Sequence, residues 1–325
     1  MHLPRRQLLR LATAAVALPA ASRFAAAQSY PTRPVRIVSG YPPGGINDLY
    51  ARLIGQWLSE RLGQQFIVEN RTGAGGNLAA DAVVRAAPDG YTLLLATSGD
   101  TWNSSLYENL KFDFVRDSTA VASIARAPGV LVVHPSVPAH SVAELLAYAK
   151  ANPGKLTVAT AGIGSAPHMF WELFHSLTGA DLLHVPYRGG GPALTDLLGG
   201  QVQVYFGTMA STLIHVRSGK LRALAVTSAA RAPLLPDVPA MKETVPGYEA
   251  SIFVGVTAPR ATPPEIVRTL NEAIMAGLGD PRLAQRIAEF GDTPLPLSPQ
   301  AFGKLIVEET EKWRKVVKTA GIRAE

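Results

Sequence analysis

Cysteine is absent from the 325-residue chain, which excludes disulfides, thiolate metal sites and cysteine nucleophiles. Charge is also scarce, at 17% of residues against 47% hydrophobic, and that balance excludes a disordered chain. The 29 glycines follow no triplet period, so the chain is not collagenous. No motif recurs every ~20–50 residues, so it is not a solenoid either. Beyond the first 27 residues no stretch stays apolar for the ~20 residues that a spanning helix needs, and the mature chain is expected to be soluble. A globular protein remains. At about 100–200 residues per domain, its length accommodates two.

The basic surplus, 31 residues against 25, gives a net charge of +6 and a pI near 9.6. It is unevenly placed. Residues 1–27 hold Arg5, Arg6, Arg10 and Arg23 and no acid, and without them 27 basic residues face 25 acidic ones. So even a balance argues against a nucleic-acid partner. The segment itself reads as a cleavable export signal. Arg5-Arg6 is its charged start, Leu8 to Ala21 its apolar middle, and Ala25-Ala26-Ala27 an A-x-A cleavage site before Gln28. Arg5-Arg6-Gln7-Leu8-Leu9 fits a twin-arginine signal as well as a general secretory one.

From Tyr30 the chain alternates β-rich runs with stretches of helical period. Strands are expected at Val35–Val38, Phe66–Val68 and Tyr91–Ala96, and again at Val130–Val133, Leu156–Thr160, Leu183–Val185, Val202–Phe206 and Leu221–Val226. Helices are expected between them, at about Asn47–Leu62, Leu78–Ala86, Ser141–Asn152, Pro167–Thr178 and Leu194–Leu198. Such alternation specifies parallel sheets with helices on both faces. Three more helices, Pro263–Leu278, Pro281–Phe290 and Ser298–Thr319, form the tail, and the strand-like run Ala250–Ala258 is placed to return the chain to the first block. The expected division is a first domain of 28–127 plus 251–325 and a second of 128–250.

Three glycine-rich loops join strands to helices: Tyr41–Asp48, Ala161–His168 and Val185–Pro192. In doubly wound sheets such loops lie at the carboxyl ends of strands, where ligands bind. A helix start offers free backbone N–H groups and the positive end of a dipole, and together these hold an anion. The candidate ligand residues are Tyr41, Pro43, Gly44, Gly45, Asn47 and Asp48 in the first loop, and Ala161, Gly162, Gly164, Ser165 and His168 in the second. Neither loop contains Lys or Arg, and Arg188 in the third is the nearest cation. Ser98, Asn103 and Thr208 are neutral polar candidates for the far end of a ligand. A nucleotide is not expected, because Gly162-Ile163-Gly164-Ser165-Ala166-Pro167 lacks the third glycine and no phosphate-binding loop motif occurs. The six later histidines show no metal-ligand spacing, so neither metal nor other cofactor is expected. Ser165 with His168 raises an exported Ser/His esterase as the alternative function, although no G-x-S-x-G elbow surrounds the serine.

At these residues the chain resembles the substrate-binding proteins of tripartite tricarboxylate transporters, the Bug receptors. The matching runs include Pro42-Pro43-Gly44-Gly45 with Asp48, Val68-Glu69-Asn70-Arg71 with Gly73-Ala74-Gly75-Gly76-Asn77, and Ala87-Pro88-Asp89-Gly90-Tyr91. They continue in Gly164-Ser165 with His168, in His184-Val185-Pro186-Tyr187-Arg188-Gly189, in Gly219-Lys220-Leu221-Arg222-Ala223 and in Pro236-Asp237-Val238-Pro239. The resemblance implies a two-lobed periplasmic-binding-protein fold, type II-like, in which two doubly wound α/β domains are joined by crossing strands. It implies a non-enzymatic, monomeric receptor that closes on a small organic carboxylate and delivers it to membrane permease subunits. It also implies that the first two loops hold the carboxylate through amides, hydroxyls and bridging waters. The chain departs from the family pattern in having Ile46-Asn47 where Pro-Thr is common, and Gly207-Thr208 where Asp or Asn often stands. Loss of an acidic group there favours an unaminated mono- or dicarboxylate over an amino acid.

Overall fold

The computed structural model describes residues 30–44 and 46–324. The export-signal reading and the candidate Gly45 therefore lie outside the described residues.

The first block runs β1 (Val35–Ser39), α1 (Ile46–Leu62), β2 (Phe66–Asn70), α2 (Asn77–Val84), β3 (Thr92–Thr97), α3 (Ser98–Leu106) and the short α4 (Phe114–Asp117). β4 (Ser118–Val133) leads into the second block, which runs α5 (Val142–Ala151), β5 (Thr157–Thr160), α6 (Ala166–Thr178), β6 (Leu183–Pro186), α7 (Gly190–Leu198), β7 (Val204–Thr208), α8 (Met209–Arg217) and β8 (Arg222–Val226). β9 (Ser251–Pro259) returns the chain to α9 (Pro264–Leu278), α10 (Pro281–Glu289), β10 (Thr293–Pro294) and α11 (Pro299–Ala320).

β1 pairs in parallel with β2 and β3, so that Ile37 faces Val68 on one side and Leu93 on the other. β5 pairs in parallel with β6 and β7. The expectation of parallel strands holds for β1, β2 and β3 and for β5, β6 and β7, but not for β4 and β8 of the second block, nor between the blocks. β9 runs antiparallel to β3, and the 16-residue β4 runs antiparallel to β9 through Pro128 and then to β7 and β8 from Gly129 or Val130 onward. A strand of that length, buried along most of its course, threads both lobes of one curled sheet, whose order is β2-β1-β3-β9-β4-β7-β5-β6.

Two apolar clusters mark the lobes. One gathers Ile37, Tyr50, Ile54, Leu93, Val256 and Ile274, and the other Leu131, Val158, Phe170, Phe174, Phe206 and Trp313. α11 serves both sides: Phe302 and Ile306 pack with Val38, Leu94 and Phe253, while Trp313, Val316 and Val317 enter the second cluster. Trp102 and Leu106 of α3 join that second cluster too, with the Trp102 ring edge-on to Trp313 at 5.3 Å and 79°.

α3 is not expected from its residues, since Ser98-Gly99-Asp100-Thr101 and Asn103-Ser104-Ser105 are turn formers. Tertiary burial overrides that preference, and seven of its nine residues are buried. The cap completes it: Gly99 N donates to Thr97 Oγ1 and Thr97 N donates to Asp100 Oδ2.

Candidate functional site

The first loop leaves β1 and enters α1. Gly44 adopts φ 81, and its amide donates to Asp48 Oδ2 at 3.0 Å. The same carboxylate accepts from Arg52 Nε at 2.9 Å and from Asn70 Nδ2 at 2.9 Å, and Asn70 also donates to the Tyr41 carbonyl. The Arg52 hydrogen bond, aided by Gly44 and Asn70, holds Asp48 down at about 2. Asp48 is 2% exposed, and its carboxylate takes three hydrogen bonds that fix the loop. Pro43 and Gly44 are exposed, and Tyr41 and Asn47 half-buried. Burial pushes the Tyr41 phenol up to about 12, so it acts as a hydrogen-bond donor.

The second loop leaves β5 and enters α6. Gly162 and Gly164 adopt φ 112 and φ 74, and Ser165 N donates back to Gly162 O to close the turn. The Ser165 hydroxyl donates to the same carbonyl at 2.7 Å and accepts from His168 N, capping α6. His168 turns its imidazole elsewhere. Nδ1 accepts from Gly164 N at 3.1 Å and Nε2 lies 3.2 Å from Glu172 Oε1. The imidazole and the serine hydroxyl are therefore not joined as base and nucleophile, and the esterase arrangement is not formed. Glycine at 164 is required twice over. Its φ is positive, and a Cβ would lie 2.9 Å from Leu106 Cδ1.

α3 bonds directly to the second loop and meets the first through a shared acceptor, Gly75 O, in the turn that precedes α2. On one side Asn103 Nδ2 and Tyr41 OH both donate to Gly75 O, at 3.0 and 3.4 Å. On the other Trp102 Nε1 donates to Gly164 O at 3.0 Å. Asn103 is 2% exposed and Ser98 fully buried, with Ser98 Oγ accepting from Phe253 N at 2.8 Å. Both residues, expected to meet a ligand, anchor α3 to its neighbours through these bonds.

The third loop lies beside the second, where Tyr187 N donates to Thr160 O. Arg188 is exposed and makes no ion pair among the described residues. Thr208 is half-buried and caps α8 through Ser211. Neither residue is drawn into the α3 contacts.

Among the described residues, the amides of Gly162 and Ile163 in the second loop, and of Ile46 and Asn47 at the start of α1, have no backbone acceptor. Ala161 supplies backbone only, half-buried. One helix start and one glycine loop leading into a second helix, with N–H groups free of backbone acceptors and no Lys or Arg, suit an anion held by dipoles and hydrogen bonds. His168, Glu172 and His184 form the one cluster of potential metal ligands among the described residues. The His168 and His184 rings are stacked, however, 4.6 Å apart and 14° from parallel. Their in-plane lone pairs cannot converge on one ion. A hollow of about 950 Å³ lies on the first lobe, lined in part by Arg260, Glu265, Arg268, Asn271 and Glu272, and none of the glycine loops contributes to it.

The missed residues are Gly75 and Asn70, and Trp102, expected only as an aromatic for a ligand to stack on, binds the second loop to α3. A tryptophan among small polar residues is the one signal that marks this segment in the sequence.

Two lobes threaded by a shared sheet, with glycine loops at the carboxyl ends of parallel strands in each, define the class of two-lobed solute-binding receptors. A family model described as the tripartite tricarboxylate transporter family receptor matches residues 50–322, and the chain belongs to that family. Protein BugT of Bordetella pertussis is 38% identical over 316 residues, covering 96% of this chain and 95% of BugT. The structure of R. palustris Rpa4515 with adipate is 40% identical, with a TM-score of 0.81 over 90% of this chain and 99% of that one. MatC (Rpa3494) from Rhodopseudomonas palustris with bound malate is 34% identical, with a TM-score of 0.77 over 89% and 100% of the two chains. The protein is thus a receptor of a transporter family. No helix among the described residues is long and apolar enough to cross a membrane.

Proposed function

We propose that the chain is an exported, periplasmic, monomeric receptor that captures an unaminated mono- or dicarboxylate between its lobes and presents it to membrane permease subunits. One observation carries this reading: amides without a backbone acceptor, at Gly162 and Ile163 in the second loop and at Ile46 and Asn47 at the start of α1, lie in two loops that contain no Lys or Arg. Backbone dipoles and amides bind a carboxylate in such a place without a salt bridge. The adipate and malate held by two relatives support a small acid of this kind.

The lobes we assign are 28–127 plus 251–325 and 128–250, opening and closing about β4 and β9, with ligand favouring the closed state. Within the site, Gly162, Ser165 and the start of α1 from Gly44 through Asn47 grip the carboxylate. We assign Tyr41, Thr208 and Arg188 to the rest of the ligand. The test is a thermal-shift screen of mono- and dicarboxylic acids, adipate and malate included, against amino acids. Ligand at 100 times its Kd adds ~2.7 kcal/mol of stability. A shift with simple carboxylates is expected. A shift with aspartate or glutamate, and none with any unaminated acid, overturns the ligand class.

A further inference from the structure

His168 is 1% exposed beneath the second glycine loop, and its two ring nitrogens face different partners. Nδ1 accepts the Gly164 N–H, while Nε2 faces the Glu172 carboxylate one helical turn on. An acceptor at Nδ1 and a donor at Nε2 define the neutral Nε2–H tautomer. The imidazolium has no acceptor nitrogen, so proton uptake must break the contact to Gly164. The Gly164 carbonyl is pinned from the opposite side by Trp102. The turn is therefore held at both ends of one residue, by a group that titrates and by a group that does not.

The titratable groups against His168 are few. Glu172 comes from its own helix, and His184 from β6 stacks on its face. β5 contributes only the neutral Thr160 hydroxyl, which shares a 2.7 Å hydrogen bond with His184 Nε2. Burial, and then His168 beside it, push His184 down to about 4, so near neutral pH His184 carries no charge.

We propose that His168 is a positioning residue whose neutral ring, by holding the Gly164 amide, sets the Gly162–Ser165 turn to receive a carboxylate, and whose protonation loosens the turn and releases ligand. The inference rests on the reading that this loop grips a carboxylate. A merely structural histidine would lower affinity when removed but would not tie affinity to pH in this way.

The test uses the intact chain with adipate as probe, titrated calorimetrically at pH 8, 7 and 6, above the usual range in which carboxylates protonate. Loss of one hydrogen bond corresponds to about tenfold in affinity. Wild-type affinity is expected to fall by about tenfold from pH 8 to 6. His168→Ala should bind about tenfold more weakly at pH 8. His168→Asn, whose Oδ1 replaces Nδ1 as acceptor but does not titrate, should recover most of that loss and bind alike at pH 8 and 6. In the ligand-free wild type, the Gly164 amide resonance should move with the His168 ring nitrogens over the same range, and in His168→Asn it should not. A flat wild-type profile, a pH slope retained in His168→Asn, or a Gly164 amide that ignores His168 overturns the proposal. If the wild type binds neither adipate nor malate, the ligand reading fails. The ligand-free Gly164 titration then still decides whether His168 sets the turn.

Discussion

An acid beside an anion site repels its ligand unless its charge is already used, and Asp48 is used three times, by Gly44, Arg52 and Asn70. Asp48→Asn keeps the shape but removes charge-assisted bonds, and we expect a loss of about 1–3 kcal/mol in denaturant unfolding. The sign with pH follows from the direction of the shift. Its carboxyl is lowered to about 2, so its stabilisation is complete above the ordinary value near 4 and is lost as pH falls from there towards 2. The acid limb of the stability profile should therefore be shallower in Asp48→Asn, and an unchanged limb would remove Asp48 from the account. Ser165 has two roles, as cap and as candidate ligand group. Ser165→Ala should cost about 1 kcal/mol of stability through the lost cap and weaken carboxylate binding about ten- to a hundredfold. A stability loss with an unchanged Kd in calorimetry would leave only the cap.

α3 is the element that joins the two glycine loops, and its own start contains a poised group. Asp100 accepts from Thr97 N in the cap, yet burial raises it to about 7. With the folded value above the ordinary one, stability is complete below about pH 4 and declines as pH rises towards 7. Asp292, buried against Tyr50 OH, is raised to about 7 in the same way. Asp100→Asn should flatten part of that decline, giving a larger gain in melting temperature at pH 8 than at pH 5, and equal gains at both would contradict the burial argument. The alternating blocks and the glycine loops were readable because hydrophobic period and turn chemistry are local signals. α3 and the first half of β4 were not, for the opposite reason. Ser98-Gly99-Asp100 reads as a turn until Trp102 and Leu106 find the second core, and Thr119-Ala120-Val121-Ala122-Ser123 favours a strand only once β9 lies beside it. At the site the same limit applied: the loops could be named from glycine and cap residues. That Asp48, Ser98 and Asn103 would be satisfied internally depends on distant partners such as Phe253 and Gly75.

Across the whole molecule, α11 is the brace that the two blocks share, with Phe302 packed on one side and Trp313 buried on the other. Trp313→Ala should cost about 3–5 kcal/mol and loosen α3, its edge-on partner, so that both stability and ligand affinity fall. A loss of stability alone would separate the brace from the site. With β4 and β9 as the connections, ligand should also shorten the radius of gyration in small-angle scattering, and identical profiles at saturating ligand would describe a rigid receptor. The central claim is that backbone amides of the second glycine loop and of the start of α1, not a cation, hold the carboxylate. The most direct test is a crystal structure of the complex with whichever acid gives the largest thermal shift. The account predicts carboxylate oxygens about 2.7–3.2 Å from the amides of the Gly162–Ile163 and Ile46–Asn47 segments. A ligand with no carboxylate oxygen on either pair of amides, or one seated in the hollow beside Arg260 and Arg268, would contradict it.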